Sequence, residues 1–137
     1  MKSLQSIAAL FLTASILFTS CKKDKDQVAP PPANTIEGTW VGKVGSGNNT
    51  PASYYSFIIS KDGTMKVTDD SNNPNKGTGT WTMDGDTFKG QYQNQFGNLI
   101  LKYNVVAKFK AAEKRMDGSW GTGTTDADDG TFFLDKQ

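Results

Sequence analysis

Histidine is absent from these 137 residues, and cysteine occurs once. Without histidine the chain lacks the commonest general base and the commonest metal-binding side chain. A single cysteine makes neither an intramolecular disulfide nor a zinc cluster. The only glutamates are Glu37 and Glu113, each beside a strand end where solvation accounts for it. Serines such as Ser56 and Ser119 have no base to activate them, and no phosphate-cradling glycine loop is present. The densest acidic run, Asp126, Asp128 and Asp129, would need an oxygen ligand where Gly130 stands to form an EF-hand, so a solvated loop explains it better. The formal charge is +1, with acids and bases interspersed, which gives no electrostatic case for nucleic acid. Together these absences point away from catalysis and from a resident cofactor or metal.

Long apolar runs are missing too. The stretch 4–18 is apolar apart from small or polar residues such as Ser6, Thr13 and Ser15. It is short for a membrane span and suits the core of a secretory signal peptide, with Lys2 as its positive n-region. Small residues, Thr19 and Ser20, precede the lone Cys21.

The segment Leu17-Phe18-Thr19-Ser20-Cys21 resembles the lipobox of bacterial lipoprotein signal peptides, with Phe18 where leucine is commoner. The resemblance implies that residues 1–20 are removed and that Cys21 carries a diacylglyceryl group and an acylated amine. Two or three acyl chains hold a protein firmly, at about 0.8 kcal/mol per buried CH₂. An ordinary signal peptide with a stray cysteine, or a buried N-terminal helix, is the alternative. Cleavage would remove Lys2 and no acid, leaving a neutral mature chain.

Residues 21–34 read as a tether. Lys22-Lys23-Asp24-Lys25-Asp26 is a solvated leader, and Pro30-Pro31-Pro32 favours extended polyproline II. The charged run after the cysteine is similar to the start of many lipoproteins from Bacteroidota. That implies the cell envelope and its outer membrane, facing either the periplasm or the surface. The folded domain is expected at 35–137.

Within that domain the pattern has period two, and turn residues break it at short intervals. Eight strands are predicted, at 38–44, 53–60, 64–68, 77–83, 87–93, 99–110, 115–122 and 130–135. Asp62-Gly63 suits a primed hairpin turn. Asn94 is assigned to the turn 94–98. The fold class is all-β, an up-and-down antiparallel meander that closes into a barrel and so removes its edges. A two-sheet sandwich is the alternative.

Three segments share the form large-x-Gly-x-large: Trp40 to Val44, Phe88 to Tyr92 and Met116 to Trp120. Inward glycines let strands bend or approach closely; a gap for a ligand is the other reading. The expected inward set is Trp40, Tyr55, Phe57, Ile59, Met65, Val67, Trp81, Met83, Phe88, Tyr92, Tyr103, Phe109 and Trp120. So many rings either fill a small barrel or line a cavity in which tyrosine hydroxyls orient a mostly apolar ligand.

Gly38-Thr39-Trp40 at the head of the first strand resembles the Gly-x-Trp motif of lipocalins. Lipocalins also place an arginine from the last strand over that tryptophan and carry a C-terminal helix. Here the last strand offers Asp135 and Lys136, and the only arginine is Arg115. The resemblance implies a lipocalin-like barrel that binds a small apolar or amphipathic molecule, with Trp40, Tyr55, Trp81, Tyr92, Tyr103 and Trp120 as candidate contacts. The alternative is an envelope interaction protein, an assembly accessory or hydrolase inhibitor, acting through its loops around a filled core. The sequence names no particular protein partner.

Overall fold

Period-two alternation punctuated by Asp-Gly turns produces a run of antiparallel hairpins. In a computed structural model the described residues are 35–72, 76–123 and 127–137. The expected signal peptide (1–20) and expected tether (21–34), with Cys21, lie outside them, as does Asp126. The strands are β1 (Gly38–Ser46), β2 (Ser53–Ile59), β3 (Thr64–Thr68), β4 (Gly77–Asp84), β5 (Thr87–Phe96), β6 (Leu99–Lys110), β7 (Arg115–Thr122) and β8 (Gly130–Lys136). Each pairs with the next, and β8 returns to β1 with Trp40 opposite Lys136 and Ser46 opposite Gly130. The architecture is therefore a closed up-and-down barrel, and the sandwich is set aside. β5 continues through Phe96 where the sequence suggested an end at Gln93, so Asn94 belongs to a strand and not to a turn.

Turn chemistry fixes the register. Gly63 (φ 84°) and Gly85 (φ 61°) both adopt left-handed conformations that a side chain would resist. Asp62 Oδ1 caps its turn, accepting from the Thr64 amide at 3.0 Å and the Thr64 hydroxyl at 2.6 Å.

Closure bends the strands most sharply at inward glycines. A Cβ on Gly42 would lie 2.0 Å from the Phe133 carbonyl oxygen, and one on Gly118 2.3 Å from that of Val106. At Gly90 it would meet the Met65 sulfur at 2.8 Å and Val105 at 2.9 Å. Neighbouring atoms occupy all three positions, so these glycines serve curvature and packing; they leave no gap for a ligand.

The core sits in layers along the barrel axis. At the end where the chain enters, Trp40 is fully buried and packs edge-on against Phe109, ring centroids 5.8 Å apart. Its indole N–H donates to the Ile36 carbonyl at 2.7 Å. The Lys136 ammonium lies 5.9 Å from the Trp40 ring. Phe57, Phe88, Met65, Met116, Leu134, Val67 and Val105 are under 2% exposed and continue the solid core. Each such side chain contributes roughly 1.5–3 kcal/mol by leaving water.

The opposite end carries the β1–β2, β3–β4, β5–β6 and β7–β8 connections. Here the β5–β6 hairpin exposes Phe96, Leu99 and Ile100. The inward alternation expected to begin at Leu99 becomes burial only further along, where Val105 and Ala107 are buried.

Candidate functional site

A cavity of about 390 Å³ lies at the loop-bearing end of the barrel. Its aromatic wall comes from four strands: Tyr55 on β2, Tyr92 on β5, Tyr103 on β6 and Trp120 on β7. Val44, Gly45, Ser46, Ser53, Val67, Asp69 and Asn94 complete the lining. Tyr103 and Trp120 are half-buried and give the cavity its solvent-facing side, while Tyr55 and Tyr92 are buried.

Strand pairing explains why these residues meet. Tyr92 stands opposite Tyr103 across β5 and β6, and the two rings stack 5.0 Å apart at 17°. Trp120 stands opposite Gly130, where a Cβ would come within 2.6 Å of the indole nitrogen. The absence of that Cβ lets the indole N–H reach the Gly45 carbonyl at 2.9 Å. The wall is thus fixed by a hydrogen bond across the β1–β8 seam.

The Tyr55 and Tyr92 hydroxyls lie 2.9 Å apart and share a hydrogen bond. Burial pushes both phenols well above their ordinary range, and their mutual proximity raises Tyr55 further. Tyr103 is raised too, first by burial and then by the Asp69 carboxylate. The cavity therefore presents neutral hydroxyls at any ordinary pH.

An alkaline prediction follows from that direction. An unfolded tyrosine ionises near 10, so the stability held by Tyr55 and Tyr92 is intact below that pH and is lost as pH rises toward their folded values. Each contributes a loss of about 1.4 kcal/mol per pH unit in that window. Absorbance at 295 nm should show these two of the four tyrosines ionising only together with the loss of near-UV circular dichroism. Smooth ionisation of all four in a folded barrel would contradict the buried pair.

Of the residues proposed from sequence, Tyr55, Tyr92, Tyr103 and Trp120 converge on this cavity. Trp40 lies in the closed-end core, away from the cavity lining. Trp81 also lies outside that lining: its indole N–H donates to the Ser60 carbonyl at 2.9 Å, and its ring stacks on Phe88 at 6.1 Å. Sequence reasoning missed Asn94, which is 7% exposed and whose Oδ1 accepts no hydrogen bond. The signal was available: Phe88, Gly90, Tyr92 and Asn94 continue one period-two series.

Acidic residues at this end of the barrel are engaged structurally, both outside the cavity and at its rim. Asp129 Oδ2 accepts from the Thr122 amide at 2.6 Å and its hydroxyl at 2.5 Å, which lowers the carboxyl below its usual range. Asp69 pairs with Lys76 at 2.6 Å. Among the described residues no three acidic or thiol side chains converge on a metal-sized site. A larger hollow of about 610 Å³ lies on the outer face of β3 to β6, but its outward side chains, such as Lys66, Thr78, Gln93 and Lys102, are all exposed. A recess in the barrel mouth, walled by aromatic rings and with polar groups held in fixed positions, is the better binding site. Comparison with protein-family models, curated proteins and solved structures returns no match for this chain.

Proposed function

We propose that this chain is a lipoprotein precursor whose lipocalin-like barrel binds a small apolar or amphipathic molecule in its mouth, without catalysing a reaction. The observation that carries the reading is the aromatic cavity of about 390 Å³ above a solid core. That volume falls at the low end of ordinary small-molecule sites. Gly38-Thr39-Trp40 at the start of β1, with a cation from β8 over the tryptophan, supports the lipocalin-like assignment.

Membrane attachment rests on the Leu17 to Cys21 segment, and an outer-membrane address in the cell envelope rests on the charged run that follows. Attached there, the barrel would hold its ligand beside a bilayer, with the 21–34 segment as spacer. A second reading has its own support. Phe96, Leu99 and Ile100 are exposed together beside the mouth, as in a surface that meets another protein.

Native mass spectrometry of the full chain expressed in a bacterium that processes lipoproteins, and extracted from its envelope, tests both parts. The expected spectrum begins at Cys21, carries acyl mass, and shows a one-to-one small-molecule adduct that Tyr103→Ala loses. Cys21→Ser should lack the acyl mass and leave the membrane fraction. A bare barrel that co-purifies with a stoichiometric protein would overturn the ligand reading in favour of the second. A Cys21→Ser chain that still partitions with membranes would overturn the anchor.

A further inference from the structure

The mouth cavity holds an unmatched pair of polar groups. Asn94 follows Tyr92 by two residues on β5, so both side chains point inward from neighbouring positions. Asn94 is 7% exposed, and its Oδ1 has no partner within the protein among the described residues. A buried acceptor left in that state is costly, and native proteins rarely tolerate one without use. Gly77 makes room for it, since a Cβ there would lie 2.2 Å from Asn94 Oδ1.

The neighbouring phenols complete the description. Two hydroxyls carry two protons, and the Tyr55–Tyr92 bond uses one of them. The other is not used by that bond. Among the residues lining the cavity, Asn94 thus keeps one acceptor, and the Tyr55–Tyr92 pair keeps one proton that their shared bond does not use. The charges nearby disfavour an anion. The Asp69 carboxylate lines the cavity, and the Lys76 ammonium is engaged by it at 2.6 Å.

We propose that the mouth selects an uncharged head group that both donates and accepts, a primary amide or a hydroxyl, on a short apolar body. Its N–H or O–H meets Asn94 Oδ1, and its oxygen accepts the spare phenol proton. The apolar body lies against the stacked Tyr92 and Tyr103 rings and Trp120. This inference rests on the ligand-binding reading and narrows it to a chemical class. A carboxylate of the same shape would set a second acceptor against the buried Asn94 Oδ1.

The test uses octanamide, octanoate and N,N-dimethyloctanamide at pH 7.5, titrated into the full mature chain and followed by calorimetry. Octanamide should bind about tenfold or more tightly than octanoate, which lacks the donor and carries charge. The dimethyl amide keeps the acceptor and loses the donor, and should fall off similarly. Asn94→Leu keeps the shape and removes the acceptor. It should lower octanamide affinity about tenfold while keeping or raising the melting temperature, because the unsatisfied group is gone. A residue with a purely structural role would shift stability the other way.

Equal binding of octanamide and octanoate, or full octanamide affinity in a folded Asn94→Leu, would overturn the head-group inference and leave the ligand-binding reading standing. Absence of binding by all three probes would overturn both. The ligand comparison needs no altered protein, so a variant that failed to fold would not remove the test.

Discussion

Gly42→Ala is expected to destabilise the barrel by about 3–5 kcal/mol, through overpacking together with the loss of adjoining strand hydrogen bonds. The added methyl would sit 2.0 Å from the Phe133 carbonyl oxygen and 2.9 Å from the Leu134 Cα. Both obstacles are backbone, so no rotamer change relieves them. β1 and β8 would have to separate, and theirs is the pairing that closes the barrel. A domain of this size has roughly 5–15 kcal/mol in total, so the loss takes a large share. Urea denaturation followed by circular dichroism should show a much lower midpoint. Gly85→Asn provides the contrast. Gly85 has open space around its Cβ position and φ 61°, a conformation asparagine visits, so its midpoint should move little. If Gly42→Ala moved it no more than Gly85→Asn, close approach at the seam would not be what Gly42 provides.

That seam shows what was legible in the sequence and what was hidden. The eight strands, their order and most of their bounds were readable, because alternation and Asp-Gly turns are local signals. The inward face was readable for the same reason: Phe57, Met65, Val67 and Phe88 all face in and are buried. Depth along the barrel axis was not. Period two says which face a side chain takes, while the tilt and stagger of paired strands decide its layer. Trp40 and Trp120 gave the same signal on paper, yet one lies fully buried at the closed end and the other lines the mouth. Asn94 continued a visible alternation but was passed over for a different reason. A polar residue near a glycine-containing turn defaults to solvent, and only the continuation of β5 to Phe96 turns it inward. Close-packed glycines were visible as a pattern. Which atoms they admit depends on neighbours far along the chain, such as Phe133 against Gly42.

Trp40, which sequence alone offered as a ligand contact, belongs to the closed-end core layer. Trp40→Ala should destabilise by about 3–5 kcal/mol, as for other large buried aromatics. Trp40→Phe is more informative. It retains a ring against Phe109 but removes the indole N–H, leaving the Ile36 carbonyl without its 2.7 Å partner. An unpaired buried acceptor costs about 1–3 kcal/mol, and weaker attraction to the Lys136 ammonium adds to it. The midpoint of urea denaturation should fall accordingly. Octanamide affinity of the folded variant should stay within about twofold of the parent, because distant, independent sites contribute additively. Stability and binding would then part company: Trp40 holds the closed end, while Tyr55, Tyr92, Tyr103 and Trp120 shape the mouth. A folded Trp40→Phe barrel that no longer took up octanamide would join the two ends into one site and overturn that division.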